Sequence, residues 1–246
     1  VEKHGERHTW DVRVEGYRKS VPRFWSEFGQ QAPATEGTLE RAIGASEMVL
    51  GSRGIEHRQR ATGGTARHID SAFPTWLESA DDLEGWYIQT DILQELSLRT
   101  AIEWMRIQRP HCMGALVWQL NDIWPSLSWS LIDSDGQEKF GCGGVRRAFA
   151  PRILTIQPEN GRLVLFGVND LDQPWLGTYS IRRGVVKSVA EKAGVPFQIP
   201  AAGVARLAGV EELIGSLGSE EVVALAEGAA TYWVSVWDRN TTPSPQ

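Results

Sequence analysis

The feature that most constrains this chain is a helical stretch running straight into a buried strand. Residues 86–109, WYIQTDILQELSLRTAIEWMRIQR, set Ile92, Leu93, Leu96, Thr100 and Trp104 near one face at helical spacing, and Pro110 stops the run. Immediately after it, Cys112 to Trp118 reads CMGALVW. A short uninterrupted apolar run of this kind predicts a strand covered on both faces, as in a parallel sheet. Upstream, VPRFWSEF at 21–28 is a β-prone run that opens beside a proline and closes at Gly29. One short helix near 37–50 and long loops are predicted between these segments.

The order is therefore strand, long connection with helix, then buried strand. Both strands end in acidic, amide and indole side chains, and a (β/α) barrel presents its active site at such strand ends. Two strands do not close a barrel, and the residues before position 21 do not supply the six others. From about 151 the character changes. Pro151 and Pro158 punctuate, and short runs with partial alternation follow at 162–168, 175–183, 220–227 and 231–238, which predicts a small β-sandwich. The predicted organisation is α/β followed by all-β, with domains at 1–150 and 151–246 and a polar tail, TTPSPQ.

Composition narrows the partners. A formal charge of -6 over 246 residues, with acids and bases interspersed, argues against nucleic acid or an anionic membrane, since phosphates call for clustered Lys and Arg. The charged start VEKHGERHTW has no signal-peptide core, and no apolar stretch reaches membrane-spanning length. Two cysteines, Cys112 and Cys142, are too few for a disulfide framework and read as reduced thiols in a cytoplasmic protein. His57 and His68 lack zinc-ligand spacing, and Asp133 to Gly136 reads as a turn rather than a calcium loop, so neither metal nor cofactor is expected. Eleven tryptophans, several beside polar residues, suit the C–H faces of sugar rings. The alternative, that most of them fill the core, is preferred for the majority.

Three blocks, PRFWSEFG at 22–29, CMGALVWQLNDIWPSLSWSLID at 112–133 and RRAFAPR at 146–152, resemble the C-terminal half of the β-mannosidases of glycoside hydrolase family 2. The resemblance implies the last strands of a (β/α)8 TIM barrel followed by an immunoglobulin-like β-sandwich. It also implies a retaining glycosidase that releases terminal β-D-mannose through a covalent glycosyl-enzyme on Glu27. By the same resemblance Trp118 stacks on the sugar where cleavage occurs; the alternative is a barrel core residue. His8 and Trp10 match the family's His-x-Trp block at the preceding strand end. Asn121, Asp122 and Trp124 bond hydroxyls or shape the mouth, or equally they cap the loop.

The sequence departs from the family pattern at Arg13, where an aromatic residue is expected, and at GCGG, 141–144, where relatives are bulkier. The family's acid/base glutamate follows an asparagine well upstream, and no Asn-Glu pair precedes Glu27. The resemblance therefore covers only the final third of such an enzyme. The partner expected is the missing N-terminal part of the same enzyme, without which the chain is close to inactive. The alternative function is a non-catalytic carbohydrate-binding module or remnant. For residues 153–246 a structural buttress is the favoured role.

Overall fold

The structure, a computed structural model, describes residues 5–61, 64–75, 77–184, 190–215, 222–227 and 230–235. The tail at 241–246 and positions 220, 221 and 236–238 of the anticipated strands lie outside the described residues. The chain divides into two compact units, Val1–Met105 with His111–Phe149, and Arg106–Pro110 with Ala150–Gln246.

In the first unit, β1 (Glu6–Trp10), β2 (Phe24–Gly29), β3 (Ala32–Pro33), α1 (Glu36–Ile43), α2 (Arg53–Arg58), α3 (Leu83–Ile107), β4 (Ala115–Val117), β5 (Leu127–Ser128) and α4 (Phe140–Ala148) follow in order. Strands β1, β2 and β4 form one parallel sheet with β2 in the middle, and β3 pairs with β5 antiparallel. The anticipated strand, helix, strand order is therefore present. Helix α2 was not anticipated; Ser52 caps it, its hydroxyl accepting from the Ile55 amide at 3.1 Å.

The long helix is where the sequence placed it, and part of the anticipated face is buried: Leu93 and Thr100 are 2% and 3% exposed and Leu96 packs on the core. Leu98, Ala101, Ile102 and Met105 join Tyr17, Trp25, Phe28, Cys112, Leu131 and Ala148 in one core, whereas Ile92 is 50% exposed and Trp104 only partly buried. The helix is apolar on more than one side, and only the sheet selects which side is covered. Helix α4 uses its glycines to approach α3. A Cβ on Gly141 would stand 2.6 Å from Gln94 Oε1, and one on Gly144 2.7 Å from Glu95 Cγ. Bulkier residues would push the two helices apart.

The run 112–118 was expected to be covered on both faces; only one face is. Ala115 and Val117 pack on the core, while Leu116 between them is 56% exposed. Among the described residues the side chains on the other face, Glu6, His8, Trp10 and Leu116, are exposed, and the sheet is open at both edges.

In the second unit, β6 (Arg152–Glu159), β7 (Arg162–Asn169), β8 (Trp175–Gly184), β9 (Ala190–Ile199), β10 (Gly203–Gly209), α5 (Val210–Ile214), β11 (Val222–Glu227) and β12 (Ala230–Ser235) form two antiparallel sheets, ordered β10-β7-β6 and β12-β11-β8-β9. Leu154, Ile156, Leu163 and Leu165 from one sheet meet Trp175, Tyr179, Ile181, Phe197 and Ile199 from the other, so the unit is the anticipated β-sandwich. Strands β6, β9 and β10 lie outside the anticipated runs: β6 is buried almost throughout and most of β9 is exposed, so neither has much alternation to read. No helix among the described residues is long and apolar enough to cross a membrane.

Candidate active site

Strand β2 carries one residue more than its neighbours allow. Glu6 pairs with Phe24 and His8 with Glu27, so two steps on β1 match three on β2; the same three-to-two mismatch separates Trp25–Ala115 from Phe28–Val117 on β4. This is a β-bulge at Ser26 and Glu27. Strict alternation would turn Trp25 and Phe28 to opposite faces, yet both lie fully buried in the same core. The bulge therefore places Ser26 and Glu27 together on the other, open face.

The neighbouring strands present their side chains to that face in step. On β1, Thr9 is buried while Glu6, His8 and Trp10 are exposed. Ser26 donates to Glu6 Oε2, His8 Nε2 lies 3.3 Å from the same oxygen, and the His8 and Trp10 rings meet edge to face at 5.5 Å. On β4, alternation after Leu116 brings Trp118 to the open side, 41% exposed. Its amide donates to Phe28 O at 2.7 Å, and its peptide bond to Gln119 is cis. Trp118 O lies 2.3 Å from where a Gly29 Cβ would stand, a backbone contact that leaves room only for glycine.

Glu27, His8, Trp10 and Trp118 are thus brought to one face at one end of a parallel sheet. Glu27 is half-buried, and among the described residues no hydrogen bond or ion pair engages its carboxylate. A carboxylate so placed is available to a ligand.

The loop residues divide. Asn121 is exposed and its side chain donates to Asp122 O at 3.2 Å. Asp122 turns inward: Oδ2 accepts from Ser128 Oγ and Ser130 Oγ, each at 2.6 Å, and Lys139 Nζ lies 3.9 Å away. Trp124 packs elsewhere, under the Arg58 guanidinium at 5.3 Å and beside His57. Among the described residues no cluster of three or more His, Cys, Asp or Glu is arranged to hold a metal ion.

Sequence reasoning missed two groups around Glu27. Glu6 and Ser26 complete the polar row beside Glu27, and their signal was only their place two residues before His8 and one before Glu27. Asp11, directly after Trp10, accepts from Trp129 Nε1 at 2.9 Å, Gln31 Nε2 at 2.7 Å and the Gln31 amide at 3.0 Å. Burial pushes its carboxyl above the usual value, outweighing those hydrogen bonds, which pull the other way. Its partners lie far away in sequence, so no local signal could have found it.

No family model matches the chain. It is similar to the goat (Capra hircus) β-mannosidase, 31% identical over 185 residues, which is 68% of this chain and 21% of that protein. With the mouse (Mus musculus) β-mannosidase the identity is 28% over 204 residues, 72% of this chain and 23% of that protein. Among solved structures, the β-D-mannosidase of Dictyoglomus thermophilum superposes with a TM-score of 0.85 at 30% identity, covering 95% of this chain and 30% of that one. The Amycolatopsis orientalis exo-chitosanase shares the fold, with a TM-score of 0.71 at 19% identity over 94% of this chain and 30% of that one. The chain thus spans less than a third of the length of each of these proteins.

Proposed function

We propose that this chain, which belongs to the β-mannosidase family, with 31% identity over 68% of its length to one member, is the nucleophile-bearing part of a retaining family 2 glycosidase. In this reading the first unit is the end of a (β/α)8 barrel, and the second is an immunoglobulin-like sandwich with a structural role. The substrate is a glycoside with a terminal β-D-mannosyl residue. The observation that carries the reading is the placement of Glu27, unpartnered on a bulge in the middle strand, between His8 on one neighbour and the end of the strand leading to Trp118 on the other.

Retention needs two displacements at the anomeric carbon. In the first, a Glu27 carboxylate oxygen forms a bond to that carbon while the bond to the leaving oxygen breaks, and a carboxylic acid protonates that oxygen. In the second, water attacks from the side the leaving group vacated, loses its proton to the same acid/base, and frees Glu27. The acid/base comes from outside these 246 residues, in the rest of the same enzyme. The exposed Trp118 indole offers an apolar face to the pyranose, and His8 and Trp10 flank it.

A 2-deoxy-2-fluoro-β-mannosyl fluoride traps the covalent intermediate. With the complete polypeptide containing these residues, mass spectrometry is expected to find the adduct on Glu27, and Glu27→Gln to lower turnover by more than about 10³-fold. The two exposed indoles, Trp10 and Trp118, also favour a second reading, a non-catalytic carbohydrate-binding surface. Sugar binding without any adduct, unchanged in Glu27→Gln, supports that reading and rules out the first.

A further inference from the structure

Asp11 sits where three strand ends meet. Its amide donates to Gly29 O at 3.1 Å, joining the end of β1 to the end of β2. Its Oδ1 accepts from the Gln31 amide at 3.0 Å, just past β2. Its Oδ2 accepts from Trp129 Nε1 at 2.9 Å. Trp129 directly follows β5 and reaches the end of β4 through its backbone: its carbonyl accepts from the Gln119 amide at 3.2 Å, and Trp129 Cδ1 lies 3.0 Å from where a Gly29 Cβ would stand. Asp11 thus links the ends of β1 and β2 directly and, through Trp129, the residue after Trp118. Its backbone adopts a φ of 49°, a left-handed conformation uncommon outside glycine, which turns the side chain back toward the strand ends.

The network around it has a fixed polarity. The Ala61 amide donates to Gln59 Oε1 at 3.1 Å, Gln59 Nε2 donates to Gln31 Oε1 at 2.9 Å, and Gln31 Nε2 donates to Asp11 Oδ2 at 2.7 Å. Ala61 has only a donor to give, so each amide in turn must present its N–H onward. Position 11 receives donors on both oxygens and can satisfy them only as a group that accepts on both.

We infer that Asp11 is a positioning residue for the glycosidase reaction, holding Glu27 and Trp118 in register across the sheet end without itself touching the sugar. The inference rests on the function proposed above. Asp11→Asn keeps the size but sets an NH2 against an N–H donor in either orientation. Gln31→Glu removes one of those donors and still accepts from Gln59, so it compensates in part.

The test compares the limiting rate of adduct formation at Glu27 with 2-deoxy-2-fluoro-β-mannosyl fluoride, per folded molecule, in the complete polypeptide and its Asp11→Asn, Gln31→Glu and doubly substituted forms. Displacement of reacting groups by about an ångström costs on the order of 10²-fold. Asp11→Asn is expected to slow labelling by about 10- to 100-fold with its unfolding temperature within about 4 °C of the parent, and the double substitution to regain at least about tenfold. Labelling of Asp11→Asn at the parental rate overturns the inference and leaves the hydrolase reading standing. A slowdown that the double substitution does not relieve also overturns it. No adduct in the parent protein overturns both.

Discussion

At the residue scale the first unit buries charge in two ways. Lys139 is enclosed, donating to Ala32 O at 2.8 Å and Ser128 O at 3.1 Å, and burial pulls its ammonium down to about 8 despite Asp122, Asp91 and Asp133 nearby. Asp91, on α3, has a buried Oδ1 without a hydrogen-bond partner, and burial raises its carboxyl from 3.8 to about 6. A carboxyl whose folded pKa lies above its unfolded one holds its proton more tightly when folded. Its stabilising effect is therefore full below the unfolded value and is lost as pH rises through about 6. Asp91→Asn removes that titration. It is expected to stabilise the protein by on the order of 1 kcal/mol at pH 7.5 and to flatten the change in stability between about pH 4 and 6, as read by urea denaturation across pH. An unaltered pH profile would contradict this account. Glu27 was legible because its SEFG block and two other blocks keep their order along the chain. Asp11 was not, because its partners at 31 and 129 become neighbours only once the sheet forms.

At the scale of elements, the sequence located strand β2 and helix α3 but not the details that make them useful. A bulge is invisible in one strand alone, since it exists only relative to the registers of β1 and β4. The anticipated face of α3 was right at Leu93 and Thr100, which are buried, and wrong at Ile92, which extends the apolar pattern to a side that the sheet does not cover. The two faces should answer differently to the same truncation. Leu98→Ala, in the core, is expected to cost about 2–5 kcal/mol, and Ile92→Ala less than about 0.5 kcal/mol, by equilibrium unfolding. Equal costs would mean that the helix is docked the other way round.

At the scale of the molecule, each unit has its own core, and the first leaves one sheet face open. Met113, Leu116, Leu120 and Ile123 are 60%, 56%, 65% and 94% exposed, more apolar surface than isolated residues of a finished surface usually offer. The 246-residue chain on its own is therefore expected to bind a hydrophobic dye such as ANS. Leu116→Gln with Leu120→Gln should lower that signal without lowering the unfolding temperature, and a chain that binds no dye would show the face to be covered. Read alone, the order of residues reveals an α/β part followed by a β-sandwich and singles out Glu27, because periodicity and motif are properties of neighbours along the chain. Which face of α3 is buried, where the bulge turns Glu27, that Asp122 points inward and that Asp11 joins three strand ends were decided by the folded structure. Each of these depends on contacts between segments distant in sequence, and such contacts leave no local trace.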